Sequence, residues 1–443
     1  MFPKIITRLP GPKARVYLEK ARRYEPHSMS DQVPIVWKKA QGVMVEDVDG
    51  NLFLDFSSGV LVVNIGHSHP ELVKEIKDQA DKVINCYDFV NLYRSTLAEK
   101  LVKITPPNLN KAFILTTGSE TTEAAIKMAR LYTGKYEIIA FHGAFHGRTY
   151  GAMSVGGKRA GSGTKGFGPF LPGVILAPFC YCYRCSFGKT YPSCHLQCLK
   201  YLDWVMETES EGKVAALITE TYQGGAGSII PTREYMKGLE KFCKDRDMVF
   251  IIDEVQASFG RTGKLFGFEH FGIRPNLLCL GKGITSSVPL SALVGESRIM
   301  DVLGPGSMSS THGGNAFCSR LALKNIEIIE KEKLVDNSRR QGDYFLKRFK
   351  AMEKKYEILG EARGMGLVLG LEIVRSKKTK APAPDLAKEI VREAYLQGLI
   401  LISPIGFYGN VLRISPPLVI SRGEGEKGIQ IIEKALARVN KKR

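Results

Sequence analysis

The run Val249-Phe250-Ile251-Ile252-Asp253-Glu254-Val255-Gln256 constrains this chain more than any other stretch. Five of the six residues before Glu254 are apolar, too few for a solitary buried helix, and polar residues follow at once. It reads as an interior strand of a parallel sheet, buried on both faces. Asp253 then stands at the carboxyl edge, the rim where open α/β sheets place their ligands. A second short apolar run, Leu277-Leu278-Cys279-Leu280, ends in Gly281-Lys282-Gly283. An acid and an amine are thereby expected on one rim.

Each residue alone has an ordinary explanation, since strand-end aspartates cap helices and loops and glycine-flanked lysines are commonly solvated. Together they fit pyridoxal phosphate chemistry. A lysine holds the cofactor aldehyde as a Schiff base, and a carboxylate keeps the pyridine nitrogen protonated so that the ring accepts carbanion electrons. The block Asp253-Glu254-Val255-Gln256, Gly260-Arg261-Thr262-Gly263-Lys264, Glu269-His270 and Gly281-Lys282-Gly283 resembles the class III aminotransferases among the fold-type I pyridoxal phosphate enzymes. The resemblance covers nearly the whole chain. It implies an α/β fold, with a mostly parallel seven-stranded sheet in a large domain and a smaller α+β domain.

Length agrees with two domains, because 443 residues exceed what one hydrophobic core comfortably holds. The expected division is 1–70 as the N-terminal segment of the small domain, 71–325 as the large cofactor domain with a cysteine-rich insertion at 180–198, and 326–443 as the C-terminal part of the small domain. No run of 18 uncharged apolar residues occurs and the start lacks a signal-peptide pattern, so a soluble cytoplasmic protein with no membrane partner is expected. The 63 basic against 45 acidic residues give +18, but they are scattered and accompany no nucleic-acid motif. No nucleic-acid partner is expected.

Along the chain, alternation around Asp49-Gly50 predicts a hairpin, and Glu71 to Val83 an amphipathic helix. Ala112 to Thr117 predicts a strand that delivers Gly118-Ser119 to the start of a helix over 120–132. Such a junction can bind anions, because free amides and the positive helix end converge there. By itself it is only a cap, but it resembles the family's phosphate cup, which assigns Gly118 and Ser119 to the cofactor phosphate. The resemblance also makes Phe145 the ring that stacks on the pyridine, Val255 its counterpart on the other face, and Gln256 the partner of the ring hydroxyl. Glu220, closing the strand Val214 to Glu220, joins the cofactor-contacting set. Thr311, in Ser309-Ser310-Thr311-His312-Gly313-Gly314-Asn315, matches the threonine that reaches the neighbouring subunit's cofactor phosphate, implying a homodimer or higher homo-oligomer. Arg148 matches the arginine for a distal carboxylate and Arg413 that for an α-carboxylate, while Val60 and Leu61 are assigned to the substrate pocket wall. Beyond Ala316 the expected elements are a largely helical stretch to Met352, strands at Gly366 to Val374, Leu399 to Ile405 and Val411 to Ile414, and a last helix ending near Val439.

Two positions depart from the family pattern. Thr221 stands where proline is usual after the glutamate, and Gly225 where many 4-aminobutyrate and ornithine aminotransferases carry a glutamate that neutralises the α-carboxylate arginine. Losing that carboxylate favours amine donors over strict 4-aminobutyrate or ornithine specificity. The resemblance implies transamination from an ω-amino acid or primary amine to a 2-oxo acid such as 2-oxoglutarate or pyruvate, with Lys282 as base and Asp253 as ring-nitrogen partner. The same scaffold supports amino-acid racemases and dialkylglycine decarboxylases, which stay as alternatives.

Five of the nine cysteines, Cys180, Cys182, Cys185, Cys194 and Cys198, fall within nineteen residues. A structural metal or cluster, disulfides, and plain loop thiols all remain open, because the spacing is not a clean pair of CxxC motifs. A metal-binding module built on these thiols is the non-enzymatic alternative. His67 and His69 read as turn residues rather than metal ligands, and no catalytic metal is expected.

Overall fold

The computed structural model describes residues 2–29, 32–157 and 164–442. The chain divides into two units, Glu71–Phe259 with Lys264–Glu330, and Met1–Pro70 with Gly260–Gly263 and Lys331–Arg443.

In the first unit seven strands form one sheet: Lys111–Leu115 (β1), Glu137–Phe141 (β2), Val174–Ala177 (β3), Val214–Glu220 (β4), Val249–Asp253 (β5), Leu277–Leu280 (β6) and Ser291–Gly295 (β7). Their order is β1-β7-β6-β5-β4-β2-β3. Only β7 runs antiparallel, to β6 and to β1, while the pairs among β2, β3, β4, β5 and β6 are all parallel. The apolar run of β5 is interior as expected, and every residue of β2, β4, β5, β6 and β7 is buried. Ile138, Ile218, Ile251, Leu277 and Leu293 share one core cluster, and full burial of each such side chain is worth about 1.5–3 kcal/mol.

Helix α1, Gly118–Thr133, packs Ala124, Ala125, Met128 and Ala129 into that cluster. Its start is fixed by a capping box in which the Thr117 hydroxyl accepts from Glu120 N–H and Glu120 reaches back to the Thr117 N–H. Its end is set by Gly134 at φ 66°, the left-handed turn that glycine adopts without strain. Because β1, β2, β4, β5 and β6 point the same way, the loops that follow them emerge on one rim.

The second unit holds a four-stranded sheet, in the order Trp37–Gln41, Met44–Asp47, Leu52–Asp55 and Leu399–Ile400, and a three-stranded one of Leu359–Met365, Val368–Ile373 and Val411–Ile414. The hairpin at Asp49-Gly50 forms as its alternation predicts. Three local expectations change. The helical stretch from Ala316 is two helices, Ala316–Lys331 and Leu334–Lys355, broken where Lys333 turns left-handed at φ 52°. The strand expected to reach Ile405 stops at Ile400. The helix expected to Val83 runs from Pro70 to Ala80.

Residues Ser58, Gly59, Val60 and Leu61 adopt φ of 50°, 56°, 64° and 61°, a left-handed turn that costs about 1–2 kcal/mol for each L-residue. Hydrogen bonds with residues distant in the chain hold it. Ser58 Oγ donates to Ser415 O at 2.6 Å, and the fully buried Arg261 donates to Ser58 Oγ at 3.3 Å, Asn64 Oδ1 at 2.8 Å, Leu367 O at 3.0 Å and Pro416 O at 2.6 Å. Among the described residues no helix is long and apolar enough to cross a membrane.

Candidate functional site

The rim of the seven-stranded sheet collects most of the residues singled out above. Asp253 ends β5 beside Glu220, which ends β4, the two being register partners. Asp253 Oδ1 accepts from Val255 N–H at 2.9 Å, and Oδ2 lies 2.7 Å from His146 Nδ1, both side chains being buried. His146 Nε2 is buried and has no hydrogen-bond partner among the described residues. The His146 carbonyl accepts from Thr122 Oγ1 of α1 at 2.9 Å, which ties the loop after β2 to the helix start.

Glu220 holds two loops. Its Oε1 accepts from Phe145 N–H and its Oε2 from Gly224 N–H, each at 3.0 Å. Burial raises its pKa to about 7, against the pull of His146, while the nearby Asp253 adds to the rise. Glu254 is also fully buried and is raised to about 7 chiefly by burial. It accepts from Gly267 N–H at 2.7 Å, Phe268 N–H at 2.8 Å and the Thr221 hydroxyl. Thr221, unusual by the family pattern, thus supplies a donor that proline could not.

Val255 joins three parts of the site. A Cβ at Gly118 would come within 2.9 Å of Val255 Cγ1, and one at Gly281 within 3.1 Å, so the helix start and the lysine loop both abut this side chain. Lys282, half-buried, follows with φ 43° at the start of the short 3-10 turn Lys282–Ile284. That left-handed conformation is uncommon outside glycine, and such strain concentrates at functional sites. Asn325 pins the other side of the turn by donating to Gly283 O at 2.8 Å and Ile284 O at 3.0 Å.

Phe145 is about half exposed, and the Arg148 guanidinium lies 5.7 Å from its ring centroid. Arg148 N–H donates to Ser119 Oγ at 3.0 Å, which links the phosphate-cup candidate to the aromatic loop. Gln256 Oε1 accepts from Tyr222 OH at 3.1 Å. Thr311 is exposed, on a loop where Ser310 Oγ donates to Glu120 at 3.1 Å and Asn85 Nδ2 to the Thr311 carbonyl at 3.4 Å.

Three candidates belong to the other unit. Arg413 is buried in the strand Val411–Ile414, opposite Gly370. Leu61 is fully buried and Val60 is 41% exposed, so of the two only Val60 offers appreciable surface. His67 Nε2 lies 2.8 Å from Asp55 Oδ2 and His69 Nε2 2.9 Å from Glu332 Oε1, in separate pairs. Among the described residues no three His, Cys, Asp or Glu side chains gather as a metal centre.

A phosphorylated pyridine aldehyde needs a buried carboxylate for its ring nitrogen, an amine for its aldehyde and backbone amides for its phosphate. Asp253, Lys282 and the start of α1 at Gly118 and Ser119 meet that demand within one unit, with Val255 between the helix start and the lysine loop. The residue set therefore fits pyridoxal phosphate. Of its second polar layer, Thr221 stands out in the sequence only as a departure from proline, and His146 and Tyr222 carry no local signal.

The family described as Aminotransferase class-III matches residues 26–436. The chain is 37% identical over 442 residues to a leucine/methionine racemase of Thermococcus litoralis, covering 97% of each protein. It is 34% identical over 404 residues to a probable 4-aminobutyrate aminotransferase of Bacillus subtilis, covering 90% of this chain and 92% of that one. A thermostable (S)-enantioselective omega-transaminase from Thermomicrobium roseum superposes with a TM-score of 0.90 at 29% identity, covering 98% of this chain and 100% of that one. The chain belongs to the class III aminotransferases, pyridoxal phosphate-dependent enzymes of fold type I.

Proposed function

We propose that this enzyme moves an amino group from an ω-amino acid or a primary amine to a 2-oxo acid such as 2-oxoglutarate or pyruvate. The relationship of Gly225 to Phe145 carries the reading. Among the described residues a Cβ at Gly225 would meet only Phe145 Cβ, at 3.4 Å, so this position beside the aromatic has room for a side chain and supplies none. Racemisation is best served by a second proton-transfer group across the reacting carbon from the lysine. Gly225 provides neither that group nor a carboxylate to occupy a substrate-binding arginine.

When bound, pyridoxal phosphate supplies an aldehyde that links to amines and a ring that withdraws electrons from the adjoining carbon. Lys282 Nζ is the base that takes the proton from the donor's amine-bearing carbon. Asp253 keeps a proton on the ring nitrogen, and His146 orients that carboxylate. Gly118 and Ser119 take the phosphate, Gln256 the ring hydroxyl, and Phe145 and Val255 the two ring faces. By the family resemblance Arg148 suits a distal carboxylate and Arg413 an α-carboxylate, each a task for a planar bidentate donor. Thr311 serves the partner subunit of a homodimer. The exposed apolar run of Ile84, Phe89, Val90 and Leu92, 55%, 78%, 85% and 72% accessible, supports that assembly.

Racemisation is the second reading, favoured by the Thermococcus litoralis relative, whose 37% identity exceeds the 34% of the Bacillus subtilis aminotransferase. A donor panel separates the two. L-alanine, 4-aminobutyrate, L-ornithine and 1-phenylethylamine are each supplied with 2-oxoglutarate or pyruvate. Glutamate or alanine should form from 4-aminobutyrate or 1-phenylethylamine. Loss of optical activity by L-alanine without any amino-acid product from the acceptors would replace transamination with racemisation.

A further inference from the structure

The five clustered cysteines take no part in the site above, yet they converge. Cys180, Cys182, Cys185, Cys194 and Cys198 all line one cavity of about 20 Å³, room for a single water. Cys180 is buried, and its Sγ lies 3.9 Å from Sγ of the exposed Cys182. Cys198, in the first turn of the helix Gln197–Thr208, faces the same cavity as Cys180, and each thiol shifts the other's pKa. Cys180 therefore has two thiol neighbours, Cys182 in contact and Cys198 across the same cavity.

The arrangement separates the readings that spacing leaves open. A thiolate metal centre needs three or four sulfurs around one point, and no such group exists among the described residues. Cross-linking needs only two thiols facing one another across a space as small as this cavity. Of the two partners of Cys180, Cys182 is separated from it by Tyr181 alone, so that ring would constrain almost no chain. A bond to Cys198 would close the whole insertion.

We propose that Cys180, Cys182 and Cys198 form a thiol–disulfide exchange site in which a small-molecule disulfide drives a Cys180–Cys198 cross-link. The bond ties the segment after β3 to the first turn of the helix Gln197–Thr208. The Cys198 thiolate attacks one sulfur of the small disulfide R–S–S–R. A Cys198–S–S–R bond forms, the R–S–S–R bond breaks and one RS⁻ leaves. The Cys180 thiolate then attacks the Cys198 sulfur, making the protein disulfide and expelling a second RS⁻. The two protons shed by the cysteines end on the two RS⁻, and the two electrons lost by the protein reduce the small disulfide.

The thiol environments suit those roles. The hydrogen bond from Cys180 lowers the pKa of Cys198, making it the readier first nucleophile. At Cys180 the hydrogen bond with Cys182 favours the thiolate, but the contact with Cys198 and burial outweigh it and push the thiol up to about 12. Once Cys198 carries R it no longer competes for charge, and Cys182 remains to favour the Cys180 thiolate.

The cofactor-loaded, full-length protein is incubated with oxidised glutathione, alkylated, denatured and mapped by mass spectrometry. Its nine thiols should fall to seven, with one peptide pair joined through Cys180 and Cys198 and restored by dithiothreitol. Cys185→Ser, from the same cavity, should still lose two thiols, whereas Cys198→Ser should form no cross-link at Cys180. Cofactor absorbance and melting temperature establish that each variant is folded. Nine thiols surviving in the wild type would overturn the proposal, as would a cross-link between any other pair. So would a stoichiometric zinc ion that must be chelated before the thiols react.

Discussion

His146 Nδ1 and Asp253 Oδ2 stand 2.7 Å apart with both side chains buried, although 107 residues separate them in the chain. The contact fixes the carboxylate that we assign to the ring nitrogen, while Val255 N–H holds its other oxygen. Asp253→Asn, nearly isosteric but uncharged, should lower kcat/KM by on the order of 10²-fold or more with the fold retained. His146→Phe should cost less, about 10-fold, because the carboxylate survives but loses its orientation. Steady-state kinetics on both variants checks the ranking, and equal losses would mean that His146 acts directly on substrate.

A pH dependence follows from Glu220, which burial raises to about 7 from an ordinary 4.5. Between those values the folded protein holds a proton that the unfolded chain has released. The contribution of Glu220 to stability is therefore full below about pH 4.5 and is lost as pH rises through about 7. Glu254 acts in the same direction over the same window. Glu220→Gln should flatten the fall in stability across that window, measured by denaturant unfolding at several pH values. An unchanged slope would show that Glu220 is ionised throughout.

Gly225 is open to substitution, since among the described residues its Cβ would find only Phe145, at ordinary contact distance. Gly225→Glu should leave the melting temperature nearly unchanged and shift the rate ratio of 4-aminobutyrate to 1-phenylethylamine by about 10-fold in favour of the former, the size of one new charge contact in a shielded site. A constant ratio would remove Gly225 from the determinants of donor choice.

The exposed apolar run tests the assembly. Val90→Asp, at a residue 85% accessible, should cost the isolated chain little. If the run is buried between copies, the substitution should weaken association by at least ~3 kcal/mol, the penalty of an unpaired buried charge. Sedimentation velocity should show a wild-type dimer and a dissociated variant. A wild-type monomer would contradict the role given to Thr311.

The sheet was legible because its strands are buried on both faces, so β4, β5 and β6 read as unbroken apolar runs. Asp253 and Lys282 were legible from their places at the ends of two of them. His146 was not, because Phe141-His142-Gly143 and Phe145-His146-Gly147 are locally alike, and only the fold exposes His142 while burying His146. The break at Lys333 likewise carries no local signal: lysine is a good helix former, yet Lys333 turns left-handed at φ 52°. The left-handed turn at Ser58 to Leu61 has no local signal either, since Val60 and Leu61 both disfavour it and distant partners such as Ser415 and Arg261 hold it.

The central claim is tested most directly by a single half-reaction. Cofactor-loaded enzyme is mixed with 1-phenylethylamine, and separately with 4-aminobutyrate, with no 2-oxo acid present, and the carbonyl product is quantified per active site. The account predicts close to one equivalent of product from at least one donor, conversion of the cofactor to its amine form, and neither event in Lys282→Ala. Absence of carbonyl product from either donor, with L-alanine racemised by the same preparation, would contradict it.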